Sequence, residues 1–191
     1  IQEMLPRFEG MAEYFDAEAT DMHSRLTLLK LTGLLHDIAK PATKTIEASG
    51  RVRFFDHPTV GEEMAGTVLR RLRFGRKGVR LVKTMIRQHL RPRQMNAKGK
   101  MPTKRAVHRY YRDVGDAALD TLYLNMADFL AARGPDLTRD QMAEGCKVID
   151  HILKVGQSLD QRVEPVGHLL DGKDIIREFG LPQGPLIGRV L

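Results

Sequence analysis

The chain carries one cysteine, Cys146, in 191 residues. A single thiol rules out an intrachain disulfide, and a reducing cytoplasm is the expected compartment. No apolar run reaches the length of a bilayer span, and no charged-then-apolar leader precedes a cleavage site. A membrane protein and a secreted one are therefore both unexpected. Internal repeats and low-complexity tracts are lacking too. The chain opens in mid-pattern at Ile1, without an initiator methionine, and reads as a piece of something longer.

The most informative shortage is of acid. From Met64 to Arg112 there is no Asp or Glu, yet this 49-residue block holds 16 Lys and Arg. The other 142 residues hold 15 bases against 24 acids, a net of −9. The overall charge of +7 thus conceals a mildly acidic body with one basic segment. A solvated helix face normally mixes both signs. A block this long without an acid favours a polyanionic partner, nucleic acid or a phosphorylated ligand.

What is present is ordinary for one sizeable soluble domain: 42% hydrophobic and 29% charged residues. Apolar positions recur at helical spacing almost throughout. Leu5, Phe8, Met11, Ala12 and Phe15 form one run, and Leu28, Leu31, Leu35 and Ile38 another. The second run ends at Lys40-Pro41, where proline stops a helix, which puts His36 and Asp37 in its last turn. Between Thr45 and Phe55 the helical period lapses. Ser49-Gly50 marks a turn there, so a short hairpin or ordered loop is expected near 45–55. Pro58 opens a further helix, with Met64, Val68, Leu69 and Leu72 on its buried face.

Val79, Val82, Met85 and Ile86 follow, with His89 at the helix end. Beyond the polar loop Arg91 to Pro102, Thr103 reads as an N-cap ahead of Ala106, Val107 and Tyr110. Leu119, Leu122, Tyr123 and Met126 mark a longer helix that closes at Arg133-Gly134-Pro135. Thr138 with Gln141 forms a capping-box pattern before Val148, Ile152 and Val155. The class is all-α, with a core over residues 1–135 and a C-terminal helical extension over 136–191.

The chemistry is concentrated in "LLHDIAKP". Adjacent imidazole and carboxylate at a helix end read either as an accident of termination or as half of a metal site. A divalent metal held by nitrogen and oxygen needs donors converging from separate rigid elements. Asp128, in the otherwise apolar "NMADFLAARG", is the natural third ligand, because a buried carboxylate needs a cation, a metal or several hydrogen bonds. Taken alone, a structural partner such as Arg133, or a cap, serves it as well. His57 and His89 each stand at a helix boundary, where a side chain can face a shared cleft. His23, His108, His151 and His168 keep structural roles. Lys40 reads as a cation complementing the helix C-terminus, a role compatible with stabilising charge on a phosphoryl group.

The ordered set resembles the HD-domain metal-dependent phosphohydrolases. His36-Asp37 in "LLHDIAKP" is followed by His57 in "RFFDHPTVGEEMA", His89 in "MIRQHLRP" and Asp128 in "LNMADFLAARG". More narrowly, "RFFDHPTVGEEMAGTVLRRLRF", "RQHLRP" and the tail "LLDGKDIIREFGLPQGPLIGRVL" resemble the HD and C-terminal portions of bacterial CCA-adding and poly(A)-polymerase-type tRNA nucleotidyltransferases. The resemblance implies an HD-type helical bundle and a divalent metal cofactor of one or two ions (Mn, Ni, Co, Fe, Zn or Mg). Asp37 would bridge two cations about 4 Å apart, with His36 and Asp128 on one and His57 and His89 on the other, activating a water for in-line attack on phosphorus.

Asp37 and Lys40 are the implied catalytic residues, and a phosphate ester such as a 2′,3′-cyclic or 2′-phosphate RNA end is the implied substrate. RNA, tRNA above all, is the implied partner. Arg91, Arg93, Lys98, Lys100, Lys104 and Arg105 are the candidate contacts to it, with Tyr110 and Tyr111 available for stacking unless Tyr110 belongs to the core. Two departures stand out. The family's upstream metal-binding histidine has no counterpart here except His23, which leaves the first metal one ligand short. The nucleotidyltransferase head, with its Gly-Ser pair and paired acids, is absent from these residues, so nucleotide addition is expected only of a longer parent. The alternative to a hydrolase is an RNA-binding module with a vestigial metal site. A cyclic-dinucleotide phosphodiesterase is disfavoured, since the Gly-Tyr-Pro extension of that branch does not occur.

Overall fold

The computed structural model describes residues 4–20, 22–96, 99–132 and 134–160. The chain divides into two units, Ile1–Gln157 and Ser158–Leu191. The fold described is that of the first unit, and the expected features of the tail, with His168, lie outside the described residues.

Eight α-helices and two short β-pairs build the described unit in the order α1 (Met11–Asp16), β1 (Glu18–Thr20), β2 (His23–Ser24), α2 (Arg25–Leu35), β3 (Lys44–Ile46), β4 (Val52–Phe54), α3 (His57–Arg71), α4 (Arg76–Gln88), α5 (Arg91–Gln94), α6 (Lys104–Val114), α7 (Ala118–Ala131) and α8 (Arg139–Asp160). The all-α class holds. The strands β3 and β4 pair antiparallel with Thr45 opposite Arg53, and Gly50 turns between them at φ +79°, as Ser49-Gly50 leads one to expect. The β1–β2 pair and the short helix α5 were not anticipated. The core is Leu28, Leu69, Val82, Met85, Ile86 and Leu122, with Tyr110 fully buried among them.

Local chemistry sets most of the element ends. Ser24 and Thr103 accept from the backbone N–H groups of Thr27 and Ala106 and so start α2 and α6. Thr138 and Gln141 exchange hydrogen bonds to start α8, a reciprocal capping box. The helix expected over Leu5–Phe15 begins only at Met11, because Gly10 takes a left-handed φ of +73° ahead of it.

Two expectations are corrected. The helix α2 closes at Leu35 rather than running to Lys40. Pro41 bars an α-helical ladder through it, and the chain tightens instead into turns in which Ile38 N bonds Leu35 O and Lys40 N bonds Asp37 O. The buried face of α3 is made of His57, Gly61, Ala65, Gly66 and Leu69. Met64 and Leu72 are 36% and 56% exposed. Small residues win that face because α3 packs closely on its neighbours: a Cβ at Gly61 would lie 3.4 Å from Ile86 Cγ2 and 3.6 Å from the Ala39 Cβ. This packing holds the His36–Lys40 turn against the α3–α4 pair.

Candidate metal centre

Three helix ends and the last turn of a fourth helix deliver the donors. His36 caps the C-terminus of α2, and Asp37 follows it in the turn. His57 is the first residue of α3, presented by Asp56 in a left-handed conformation with φ 57°. His89 caps the C-terminus of α4, and Asp128 stands within the last turn of α7. The antiparallel run of α3 and α4 brings the first residue of one beside the last of the other.

The five side chains converge. His36 Nε2 lies 3.2 Å from Asp37 Oδ2 and 3.5 Å from Asp128 Oδ1. His57 Nε2 lies 3.5 Å from Asp37 Oδ1 and 3.3 Å from His89 Nε2. The two Asp37 oxygens therefore divide between the His36 side and the His57 side. Ligands bound at about 2.0–2.2 Å to one ion sit roughly 3.0–3.6 Å apart, and these separations fall in that range.

The ring orientations are set from behind. Nδ1 of His36, His57 and His89 lies 2.8, 2.8 and 2.6 Å from the carbonyls of Gly33, Phe54 and Ile86, each three residues upstream. A carbonyl accepts only, so each Nδ1 donates its proton and each Nε2 turns inward, a free ligand whenever the ring is neutral. Nε2 of His57 and Nε2 of His89 face each other at 3.3 Å. Two nitrogens so placed can share a proton or a cation. His36 Nε2 and Asp37 Oδ1 are also buried with no hydrogen-bond partner. Inward Nε2 atoms, orphaned buried polar atoms and carbonyl-anchored rings are the donor arrangement of a metal site.

Electrostatics agree. The carboxylates of Asp128 and then Asp37 push the His36 imidazole up to about 10, against its burial. Burial of Asp37 opposes ionisation, yet His36 and Lys40 hold its carboxyl well below the usual range. Asp128 is lowered by His36. Burial depresses His89, which keeps its ring in the neutral, ligating form. In the metal-free site a proton on His36 thus occupies the position a cation would take.

Residues 8–132 match the family described as the HD domain. The chain belongs to the HD-domain family. Among curated proteins it is 33% identical over 167 residues to the CC-adding tRNA nucleotidyltransferase of Thermus thermophilus, covering 85% of this chain and 34% of that protein. It is 29% identical over 187 residues to the A-adding tRNA nucleotidyltransferase of Deinococcus radiodurans, covering 94% of this chain and 41% of that protein. The chain spans about a third to two-fifths of the length of these relatives.

Within this HD domain the structure gathers His36, Asp37, His57, His89 and Asp128 at one place. Lys40 joins them: its Nζ lies 2.5 Å from Asp37 Oδ2 and 5.7 Å from the Phe54 ring centroid. His23 does not. Its ring packs on Phe74 at 4.8 Å. The basic candidates have individual surroundings. Arg91 pairs with Asp113 at 2.8 Å and lies over the Tyr110 ring. Arg93 stands 3.9 Å over the Phe129 ring. Lys100, Lys104 and Arg105 are exposed, and Lys98 lies outside the described residues.

One supporting residue escaped the sequence reading. Asn125, buried on α7, donates from Nδ2 to the His89 carbonyl at 2.7 Å. It fixes the end of α4 against the helix that carries Asp128. A polar residue three positions before Asp128 in an apolar helix was the available signal, since the two share one helix face.

Proposed function

We propose that this HD domain is a divalent-metal-dependent phosphohydrolase belonging to a tRNA nucleotidyltransferase-like protein, acting on phosphate esters such as 2′,3′-cyclic or 2′-phosphate RNA ends. The observation that carries the reading is the convergence of the His36, His57 and His89 Nε2 atoms with the Asp37 and Asp128 carboxylates. The names of the curated relatives support the tRNA context.

His36, Asp37 and Asp128 would hold one cation, and His57 and His89, with the second Asp37 oxygen, another. Mixed imidazole and carboxylate donors suit Mn, Fe, Co, Ni or Zn better than Mg. Bound there, the cation supplies Lewis-acid polarisation of a phosphoryl oxygen and a water of lowered pKa. The chain's own residues do the rest. The carbonyls of Gly33, Phe54 and Ile86 keep three rings aimed inward, so the donors are preorganised. Lys40, partly exposed beside Asp37, is the cation placed to meet charge developing on the phosphoryl oxygens. Lys100, Lys104 and Arg105, with Arg91, Arg93 and Lys98, would contact the RNA backbone.

A second reading, an RNA-binding module with a vestigial site, is favoured by the contact of Lys40 on Asp37, which lets a side-chain cation stand where a metal would. One experiment separates the two. Metal content after dialysis against micromolar Mn²⁺, Ni²⁺ or Zn²⁺ is measured beside hydrolysis of a generic phosphodiester and of 2′,3′-cyclic nucleotides with Mn²⁺, Ni²⁺, Co²⁺ and Mg²⁺. The hydrolase reading expects bound metal and turnover, with both lost in Asp37→Ala. Protein that stays metal-free and inert sinks it.

A further inference from the structure

The far end of the α3–α4 pair carries its own charge cluster. Between Arg70 and Arg80 the chain reads RRLRFGRKGVR, six cations and no acid. Arg70, Arg76, Arg80 and Lys83 line a cleft of about 430 Å³ together with Phe74, Val79, Thr84 and one acid, Glu62. The two acids of α3 nearest this seam are already engaged: Glu63 with Lys83 at 2.6 Å and Glu62 with Arg87 at 3.1 Å. No acidic side chain among the described residues pairs with Arg70, Arg76 or Arg80, which are exposed. Glu62 and Glu63, the acids beside them, are each ion-paired with another cation, so the three arginines leave a local excess of positive charge that favours an anion from outside.

The backbone adds two further features. Arg73 takes a left-handed φ of 62° as the chain leaves α3, with Phe74 N bonded to Leu69 O and Arg73 N to Arg70 O. That position favours glycine, yet it holds a cation. The 13-residue helix α4 then begins at Arg76 behind Gly75, which offers no side-chain cap. Its first N–H groups and the positive end of its dipole face the same end of the pair as the arginines.

We infer that the α3–α4 turn is a nucleic-acid backbone site, gripping phosphodiester groups through Arg70, Arg76 and Arg80 at a distance from the metal centre. The inference rests on the RNA reading above and places the grip on a surface that reading does not use. The site is remote because α3 rises about 22 Å over its 15 residues, from His57 at the metal centre to the arginines. A single phosphate would not need the further cations Arg71, Arg73 and Lys77 in the same stretch of chain. A protein partner would meet an interface with charge at its centre, where charge is normally depleted. Guanidinium forks match phosphate oxygens two at a time.

The test is fluorescence anisotropy of a labelled RNA hairpin with a single-stranded 3′ tail, titrated with the full 191-residue chain at several salt concentrations. One variant carries Arg70→Glu, Arg76→Glu and Arg80→Glu, and a comparison variant carries Lys100→Glu, Lys104→Glu and Arg105→Glu. Each lost phosphate contact flattens the slope of log affinity against log salt by roughly 0.7–0.9. The α3–α4 variant is therefore expected to bind at least about tenfold more weakly and to lose about two units of slope. Arg→Gln at the same positions, with helicity checked by circular dichroism, serves if reversal unfolds the chain. Unchanged affinity and slope in the α3–α4 variants overturns the inference, and if the Lys100 variant weakens binding the RNA reading survives it. Wild type that ignores RNA overturns both. Binding to anionic phosphatidylserine vesicles or to polyglutamate instead of RNA also overturns it.

Discussion

Helix α7 carries one buried and one half-buried aspartate, and their partners decide what each one is for. Asp120 accepts from Tyr14 and from Arg25, both at 2.7 Å, and Arg25 also pairs with Asp116. Its needs are met inside the fold, so it ties α1, α2 and α7 together. Among the described residues Asp128 pairs with His36, and His36 must share itself with Asp37. The sign of the pH dependence follows from His36, which titrates near 10 in the metal-free site, above the ordinary value near 6.5. Its pairing stabilises the metal-free fold fully below about 6.5 and loses that stabilisation as pH rises toward 10. A metal requires the neutral ring, so binding must expel this proton. Mn²⁺ or Zn²⁺ affinity is therefore expected to rise about tenfold per pH unit from 6 to 8. Calorimetric titration in two buffers of different ionisation enthalpy should report about one proton released. Affinity that is flat across this range would remove His36 from the ligand set.

At the scale of elements, glycines show where helices touch. Gly156 on α8 lies under the Tyr111 ring of α6, where a Cβ would come within 2.4 Å of two ring carbons. Gly33 on α2 has nothing within 4 Å of that position. Gly156→Ala is expected to destabilise by about 1–2 kcal/mol, overpacking outweighing the helix propensity gained. Gly33→Ala is expected to stabilise by about 0.5–1 kcal/mol. Urea melts of the two variants check the opposite signs. The same elements mark what was legible in advance. Helices with side-chain caps at Thr103 and Thr138, and the hairpin turning at Gly50, announce themselves through local chemistry. The β1–β2 pair does not, because Glu18–Thr20 and His23–Ser24 are too short for a period to appear. On α3 Leu69 is buried as expected while Met64 and Leu72 are exposed, for a related reason. Hydrophobic size identifies a core face only when helices pack at ordinary distance, and close approach at Gly61 and Ala65 inverts the preference.

For the whole molecule, the candidate centre is where separate elements depend on one another. Its donors come from the α2 turn, the one end of the α3–α4 pair where α3 begins and α4 stops, and α7. The dipeptide His36-Asp37 was visible in the sequence because two donors are adjacent. That His57 and His89 meet it depends on the antiparallel path of α3 and α4, and no local signal encodes that path. A cation bound at such a junction is bound by the folded chain and hardly by the unfolded one, so it stabilises by mass action. At about a hundredfold excess over its dissociation constant the gain is about 2.7 kcal/mol, or roughly 5–10 °C in thermal midpoint for a domain of this size. Scanning calorimetry with Mn²⁺, Ni²⁺ or Zn²⁺ is expected to show this shift, with its loss in Asp37→Ala and a smaller shift in His57→Ala. Part of the metal-free fold is held by charges crowded round the centre, so Asp37→Ala without metal should lie close to wild type or below it. A midpoint that no cation moves would mean that the five side chains meet for packing alone, with a proton on His36 and Lys40 on Asp37 meeting their electrostatic needs.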